Sequence, residues 1–183
     1  MRLRVFALLA AVLLGGCSDD DPAPTTSPAT GRGITAQLPE GWQSTRTNLI
    51  PHLTDPRQAF VAATFPLRYR ETECSHVPGS ALEDLGPRDA FVELEERGTG
   101  GASMPPRPER FGPSGLGPSE ASACVPKARF VDDWFDFSDA GRRFHVRVAF
   151  GPEATAETQD EAWAILDSLE IDPAVKPDWA NAG

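Results

Sequence analysis

The stretch Arg129-Phe-Val-Asp-Asp-Trp-Phe-Asp-Phe137, followed by Ser138-Asp-Ala-Gly141 and Arg143-Phe-His-Val-Arg-Val-Ala-Phe150, decides the fold. Two segments of strand periodicity flank a short turn, in which Gly141 takes the positive φ that a tight hairpin demands. On the second segment Phe144, Val146, Val148 and Phe150 fall on one face and Arg143, His145 and Arg147 on the other, because successive strand side chains alternate. The apolar face needs a cover. The chain supplies one after Gly151-Pro152. There Thr158-Gln-Asp-Glu161 reads as a capping box, and Ala162, Ile165, Leu166 and Leu169 recur at helical spacing. This pattern predicts a helix over 158–170, ended by Ile171-Asp172-Pro173, lying on the hairpin. The expected class is α+β, an antiparallel sheet flanked by helices.

Upstream the pattern is consistent with more sheet. Ile34-Thr-Ala-Gln-Leu38 alternates before a turn at Pro39-Glu-Gly41. Gln58 to Leu67 is apolar on both faces and reads as a central strand ended by Pro66. Asp89 to Glu96 alternates, with Ala90, Val92 and Leu94 inward, Glu93 and Glu95 outward, and Phe91 a partial exception. Between these, Ser80-Ala-Leu-Glu-Asp-Leu85 predicts a short helical turn capped by Ser80 and stopped by Gly86-Pro87. Trp42, Trp134 and Trp163 read as core or core-edge aromatics.

The first residues say where the protein works. Arg2 and Arg4 precede an uncharged apolar run from Val5 to Leu14, then Gly15-Gly16-Cys17. A cationic start, a short apolar middle and small residues at the cut site make a secretory signal. The run is about half of the ~20 residues needed to span the hydrocarbon core. Leu14-Gly15-Gly16-Cys17 fits the bacterial lipobox, in which the cysteine is lipidated and becomes the mature N-terminus. Ser18 to Arg32 has no large apolar residue and reads as a tether. The expected organisation is therefore a signal peptide at 1–16, a lipidated tether at 17–32, one globular domain at 33–173 and a polar tail at 174–183. The domain, of roughly 140 residues, is long enough for one core.

The leader carries two arginines and no acid, so its removal takes the net charge from −10 to −12. That balance disfavours nucleic acid and anionic lipid as partners, since both require a cationic face. The expected membrane contact is the acyl chains on Cys17. Cys74 and Cys124 remain, and an even pair in an exported chain is expected to form a disulfide. It would close a loop of about 50 residues, for which chain entropy gives roughly 4 kcal/mol.

The sequence holds no G-x-S-x-G elbow, H-E-x-x-H helix or phosphate-cradling glycine loop in the required strand-to-helix setting. Asp132, Asp133, Asp136 and Asp139 have the composition of a calcium loop without its pattern, and alternation sends Asp133 to the opposite face from Asp132 and Asp136. No metal ligand or cofactor is expected. His52, His76 and His145 read as surface or satisfied histidines. Two places are candidates for recognition. One is the long Pro- and Gly-rich excursion Gly98 to Ser122, with Arg107 and Arg110. The other is the strand face bearing Arg143, His145 and Arg147, for which cross-strand pairing with Asp132, Asp133 or Asp136 is the competing explanation.

A lipobox, the opening Leu38-Pro39-Glu-Gly41-Trp42, paired strands and the closing Ala164-Ile-Leu-Asp-Ser-Leu-Glu-Ile171 together resemble small extracytoplasmic lipoproteins of high-GC Gram-positive bacteria with a PsbP-like domain. The resemblance spans roughly residues 33–172. It implies an α/β/α arrangement and a non-enzymatic accessory or interaction module, and it transfers no catalytic residue. The cysteine pair and the long loop lie outside it. The expected function is thus a membrane-anchored, extracytoplasmic, non-catalytic binding or accessory module whose partner is an envelope protein or small ligand. The alternative is an envelope hydrolase or transferase with a site assembled from His145, Asp133 and the loop.

Overall fold

The computed structural model describes residues 27–73, 76–98, 103–114, 117–118, 125 and 130–175. Among them the fold is α+β and dominated by strands, with two antiparallel sheets. The larger runs β3(Gln43–Ser44), β4(Arg57–Ala63), β5(Ala90–Arg97), β8(Arg142–Phe150), β7(Val131–Asp139), β6(Gly117–Pro118); the smaller runs β1(Ser27–Gly31), β2(Ile34–Leu38), β9(Glu170–Ile171). The described residues also form the helices α1(Gly79–Asp84) and α2(Ala156–Asp167).

The expected hairpin is present as β7–β8, in register from Val131↔Phe150 to Asp139↔Arg142. Its turn residues Ala140 and Gly141 have φ of +51° and +73°. Two consecutive positive φ values match the right-handed twist of the strands, and glycine supplies the second without strain. β8 pairs along its other edge with β5, from Ala90↔Phe150 to Arg97↔Arg143. On one face of this sheet Phe60, Val92, Leu94, Phe137, Phe144, Val146, Val148 and Phe150 form the main core with α2 and the β1–β2 hairpin. On the other face Val61, Ala63, Phe91 and Ala149 pack with Leu82 and Leu85 beside α1.

Several local expectations shift. Helix α2 starts at Ala156, capped by Thr155, whose hydroxyl accepts from Thr158 N at 3.1 Å. The capping side chain is thus three residues earlier than the Thr158 box, which frees Glu161 to accept from Trp42 Nε1 at 2.8 Å. The helix stops at Asp167. Ser168 returns its hydroxyl to Ile165 O at 2.7 Å, a local competition with the helix that serine favours, and residues 170–171 leave to pair with β2. Ser80 does not cap α1, whose N-cap is Pro78; its buried hydroxyl donates to Arg68 O at 3.0 Å. The strand expected over 58–67 ends at Ala63 and lies beside the short edge strand β3. The segment expected as tether contributes β1, in register with β2 from Ser27↔Leu38 to Gly31↔Ile34. Main-chain pairing needs no large side chain, and Ala29 alone tucks into the core. At the other end Val175 lies so close to Gly33 that a Cβ there would strike it.

The largest departure concerns the long loop. Its longest described part, residues 103–114, is docked along β7: Ser138 N donates to Pro105 O at 2.8 Å and Arg107 N to Ser138 O at 2.9 Å. Phe111 is buried against Phe135 and Phe137, with ring centroids 5.6 and 5.3 Å away. Its N–H donates to Asp167 Oδ1 at 2.7 Å. Arg107 reaches the end of α2, donating to Leu169 O, Leu166 O and Asp167 O at 2.6, 3.0 and 2.9 Å, and to Asp139 at 3.1 Å. The last turn of α2 contains no basic residue. A helix leaves its final carbonyls unpaired and negative, and here a distant arginine satisfies them. Gly151 marks another tight approach: a Cβ there would collide with Gly86 O and the Pro87 carbonyl, where the β8–α2 and α1–β5 connections are stitched together.

Two stability measurements follow from this packing. Leu166 is fully buried, so Leu166→Ala is expected to cost about 2–5 kcal/mol in urea unfolding of the full chain. Arg107→Ala is expected to cost about 2 kcal/mol, by loss of charge-assisted bonds to partly buried carbonyls. Arg107→Lys should recover only part of that, because an ammonium cannot present the planar fork that spans these acceptors. Unchanged unfolding midpoints would refute each assignment in turn.

Candidate functional site

The antiparallel registers turn the face bearing Arg143, His145 and Arg147 into a grid. Val61, Glu93, Arg147 and Trp134 form one row, and Gln58, Glu95, His145 and Asp136 form the next. Arg97, Arg143 and Ser138 lie beyond. The pairing expected within the hairpin is present: His145 Nδ1 sits 2.6 Å from Asp136 Oδ1, and Arg147 Nη1 sits 3.7 Å from Asp132 Oδ2. Arg143 donates to Gly98 O at 3.1 Å. Arg147 also stacks on Trp134, its guanidinium carbon 3.7 Å from the ring centroid. That indole donates to Asp132 at 2.6 Å. Trp134, expected in the core or at its edge, is instead a platform for a cation and 39% exposed.

Strand β5 adds what the hairpin alone does not show. Glu93 and Glu95, expected to face solvent, are buried beside Arg147, with Glu93 only 1% exposed and 3.8 Å from its Nε. The difference has a physical origin: alternation separates two faces but does not say that one of them is wet, and here both faces of the sheet carry packed elements. One guanidinium thus faces three buried carboxyls, Glu93, Glu95 and Asp132. Burial, then the charge of Glu95, pushes the Glu93 carboxyl well up despite Arg147. Burial raises Glu95 to about 7 against the pull of Arg147 and Arg97. Burial also lowers His145, opposed by its bond to Asp136.

The chemical groups singled out in the sequence are not brought to one place. Asp133 points to the face of β7 opposite His145, as alternation requires, and accepts from Ser114 N and Oγ at 2.6 and 2.8 Å. A serine, a histidine and an aspartate must share one side of the sheet to relay a proton; Ser114–Asp133 and His145–Asp136 lie on two. Among the described residues no three metal-ligating side chains gather at one point, and no helix is long and apolar enough to cross a membrane. Arg110 is exposed on the docked loop, whereas Arg107 is engaged with α2. Cys17, Cys74 and Cys124 lie outside the described residues.

The concave feature is elsewhere, and nothing in the sequence pointed to it. A cleft of about 710 Å³ opens between the β1–β2 hairpin and the β3–β4 corner, lined by residues from Pro28 to Gly33, Ser44 to Arg46, Asn48 and Gln58 to Phe60. Two further hollows, of about 330 and 90 Å³, lie at Trp42 and beside Tyr69. The corner is held by Gln58, which accepts from Leu49 N at 2.8 Å and donates to Thr47 O at 2.9 Å. The opposite wall is held from below. Arg142 makes a bidentate, fully buried pair with Glu96 at 2.7 and 2.8 Å and also donates to Arg32 O at 3.1 Å. The two walls belong to different sheets, so the cleft exists only once these are assembled.

The buried carboxyls generate a pH dependence. The folded pKa of Glu95, near 7, lies above its unfolded value of about 4.3. The native state therefore holds this proton more tightly, and its contribution to stability is lost as pH rises from about 4.5 through 7, by up to about 4 kcal/mol. His145 acts in the opposite sense, because its lowered pKa removes stability as pH falls below about 6.5. The difference between wild type and Glu95→Gln isolates the carboxyl. Thermal melts should show the variant gaining on wild type between about pH 5 and pH 7.5; a constant difference would mean that Glu95 titrates normally. No family model matches this chain, and no curated protein matches it.

Proposed function

We propose that this protein is a lipid-anchored, non-catalytic binding or accessory module on the extracytoplasmic face of the cell membrane, and that its ligand enters the cleft between the β1–β2 hairpin and the β3–β4 corner. The observation that carries the reading is the cleft itself. At about 710 Å³ it falls within the range of small-molecule sites, and its walls present hydroxyl, amide and guanidinium groups. The charged strand face supports it by contrast, since Arg147 and His145 are engaged with carboxylates of the same sheet. The lipobox at Leu14–Cys17 supports the location, and the Leu38–Trp42 and Ala164–Ile171 motifs support the finer reading as a PsbP-like lipoprotein domain.

Anchoring and binding are tested separately. Cys17→Ala should release the protein from the membrane fraction or leave it unprocessed; a processed, membrane-bound variant would overturn the lipid anchor. For the cleft, Thr30 is an exposed wall residue, so Thr30→Trp blocks the opening without touching the core. Native mass spectrometry of full chain isolated from its own envelope should show a small-molecule adduct that Thr30→Trp lacks. Identical spectra for the two proteins would refute the cleft as the binding site.

A further inference from the structure

The polar face of the larger sheet carries an aromatic surface that the cleft does not use. Trp134 stands on β7 with 39% of its surface exposed, yet its ring is held on three sides. The Arg147 guanidinium carbon lies 3.7 Å from the ring centroid and covers one face. The His145 ring meets it edge-on, with centroids 5.0 Å apart and planes at 68°. The indole N–H donates to Asp132 Oδ2 at 2.6 Å. With one face, one edge and the N–H engaged, the exposed area belongs mainly to the opposite face. A tryptophan presented in this way loses little side-chain freedom when a partner settles on it, and such aromatics dominate the energetics of interfaces.

The charges around the ring select what settles there. Arg147 draws electron density from the indole, and the Asp132 carboxylate on the N–H returns it, so the outer face keeps the negative potential that attracts cations. Asp136 follows two residues later on the same face of β7. Its side chain is 44% exposed, and its Oδ1 is fixed 2.6 Å from His145 Nδ1. An aromatic face and an exposed carboxylate thus stand side by side, about 7 Å apart along the strand. The chain as a whole carries 27 Asp and Glu against 17 Lys and Arg, a balance that steers cationic partners toward it. A guanidinium matches both features, because it stacks flat on an aromatic ring and forks onto carboxylate oxygens, which an ammonium cannot do.

We infer that Trp134 and Asp136 form a docking site for an arginine-bearing segment of a basic protein partner, the guanidinium stacked on the outer face of Trp134 with its donors on the Asp136 carboxylate. The docked arginine extends the stack that Arg147 begins from below. This site goes beyond the binding reading above. Strands β5 and β8 separate it from β4 at the cleft wall, so different variants address the two.

The test is calorimetric titration of the full chain in neutral detergent with a blocked arginine-containing pentapeptide, its lysine and glutamate counterparts, and maltohexaose. The variants are Trp134→Leu, Asp136→Asn, Thr30→Trp and Glu157→Gln, the last removing an exposed acid from α2 on the opposite face of the sheet. The expected result is saturable binding of the arginine peptide, tighter than that of the lysine peptide. Trp134→Leu and Asp136→Asn should each weaken it about fivefold or more, with Thr30→Trp and Glu157→Gln unchanged. Asparagine keeps an oxygen for His145, so Asp136→Asn decides the matter should Trp134→Leu melt lower. No binding of the arginine peptide overturns the inference, and so does equal weakening by Glu157→Gln, which is diffuse attraction to an acidic surface. Loss in Thr30→Trp alone puts the peptide in the cleft, overturning this site and keeping the binding module. Maltohexaose bound in wild type and lost in Trp134→Leu overturns the choice of a cationic partner. Peptide binding intact, with no small-molecule adduct that Thr30→Trp removes, refutes the cleft and supports this site.

Discussion

Strand β8 is hydrogen-bonded along both edges, to β5 from Arg143 to Phe150 and to β7 from Arg142 to Phe150. Every side chain it carries must therefore find its environment above or below the sheet. On one face four apolar residues meet α2 and the β1–β2 hairpin, and the hydrophobic effect suffices. On the other face Arg143, His145 and Arg147 must be satisfied by polar neighbours, because burying a charge is costly unless it is paired. The flanking strands provide these partners. Asp132, Trp134 and Asp136 come from β7, and Glu93 and Glu95 from β5.

That arrangement determines what the polar face can do. A buried ion pair contributes little net stability over an apolar replacement, while removing one partner is expensive. Arg147 has more carboxyls than it can neutralise, which is why burial drives Glu93 and Glu95 toward their protonated forms. The opposite end of β8 shows the paired limit, where Arg142 and Glu96 match one to one and all but vanish from solvent. Arg142 retains a donor for Arg32 O, so the central strand also fixes the turn at the mouth of the cleft. Core, charge pairing and cleft are linked through adjacent residues of one strand.

The Pro- and Gly-rich excursion has a related role. Its composition is that of a mobile surface loop, yet residues 105–114 supply a core aromatic, a helix cap and a partner for Asp133. Proline restricts the backbone before folding, so docking such a segment loses less entropy than docking a flexible one. Helix α2, which has no cation of its own in its last turn, depends on it.

The sequence by itself determined the β7–β8 hairpin, the helix that follows it, the strand at Ile34–Leu38 and the division of Asp132 and Asp133 between two faces. These follow from periodicity and turn chemistry, which are local. That cations of β8 meet aspartates of β7 was legible for the same reason, but the choice of Asp136 for His145 and Asp132 for Arg147 came only with the register. What the sequence could not disclose depends on which distant strands become neighbours. Glu93 and Glu95 read as solvent-facing until β5 is placed beside β8; Arg107 reads as a surface charge until the end of α2 arrives above it. Ser27–Gly31 reads as tether until β2 offers its edge. The cleft belongs wholly to this second group. Its two walls are close in the chain but belong to different sheets and carry no shared motif, and only tertiary assembly gives Arg32 and Arg46 a common space.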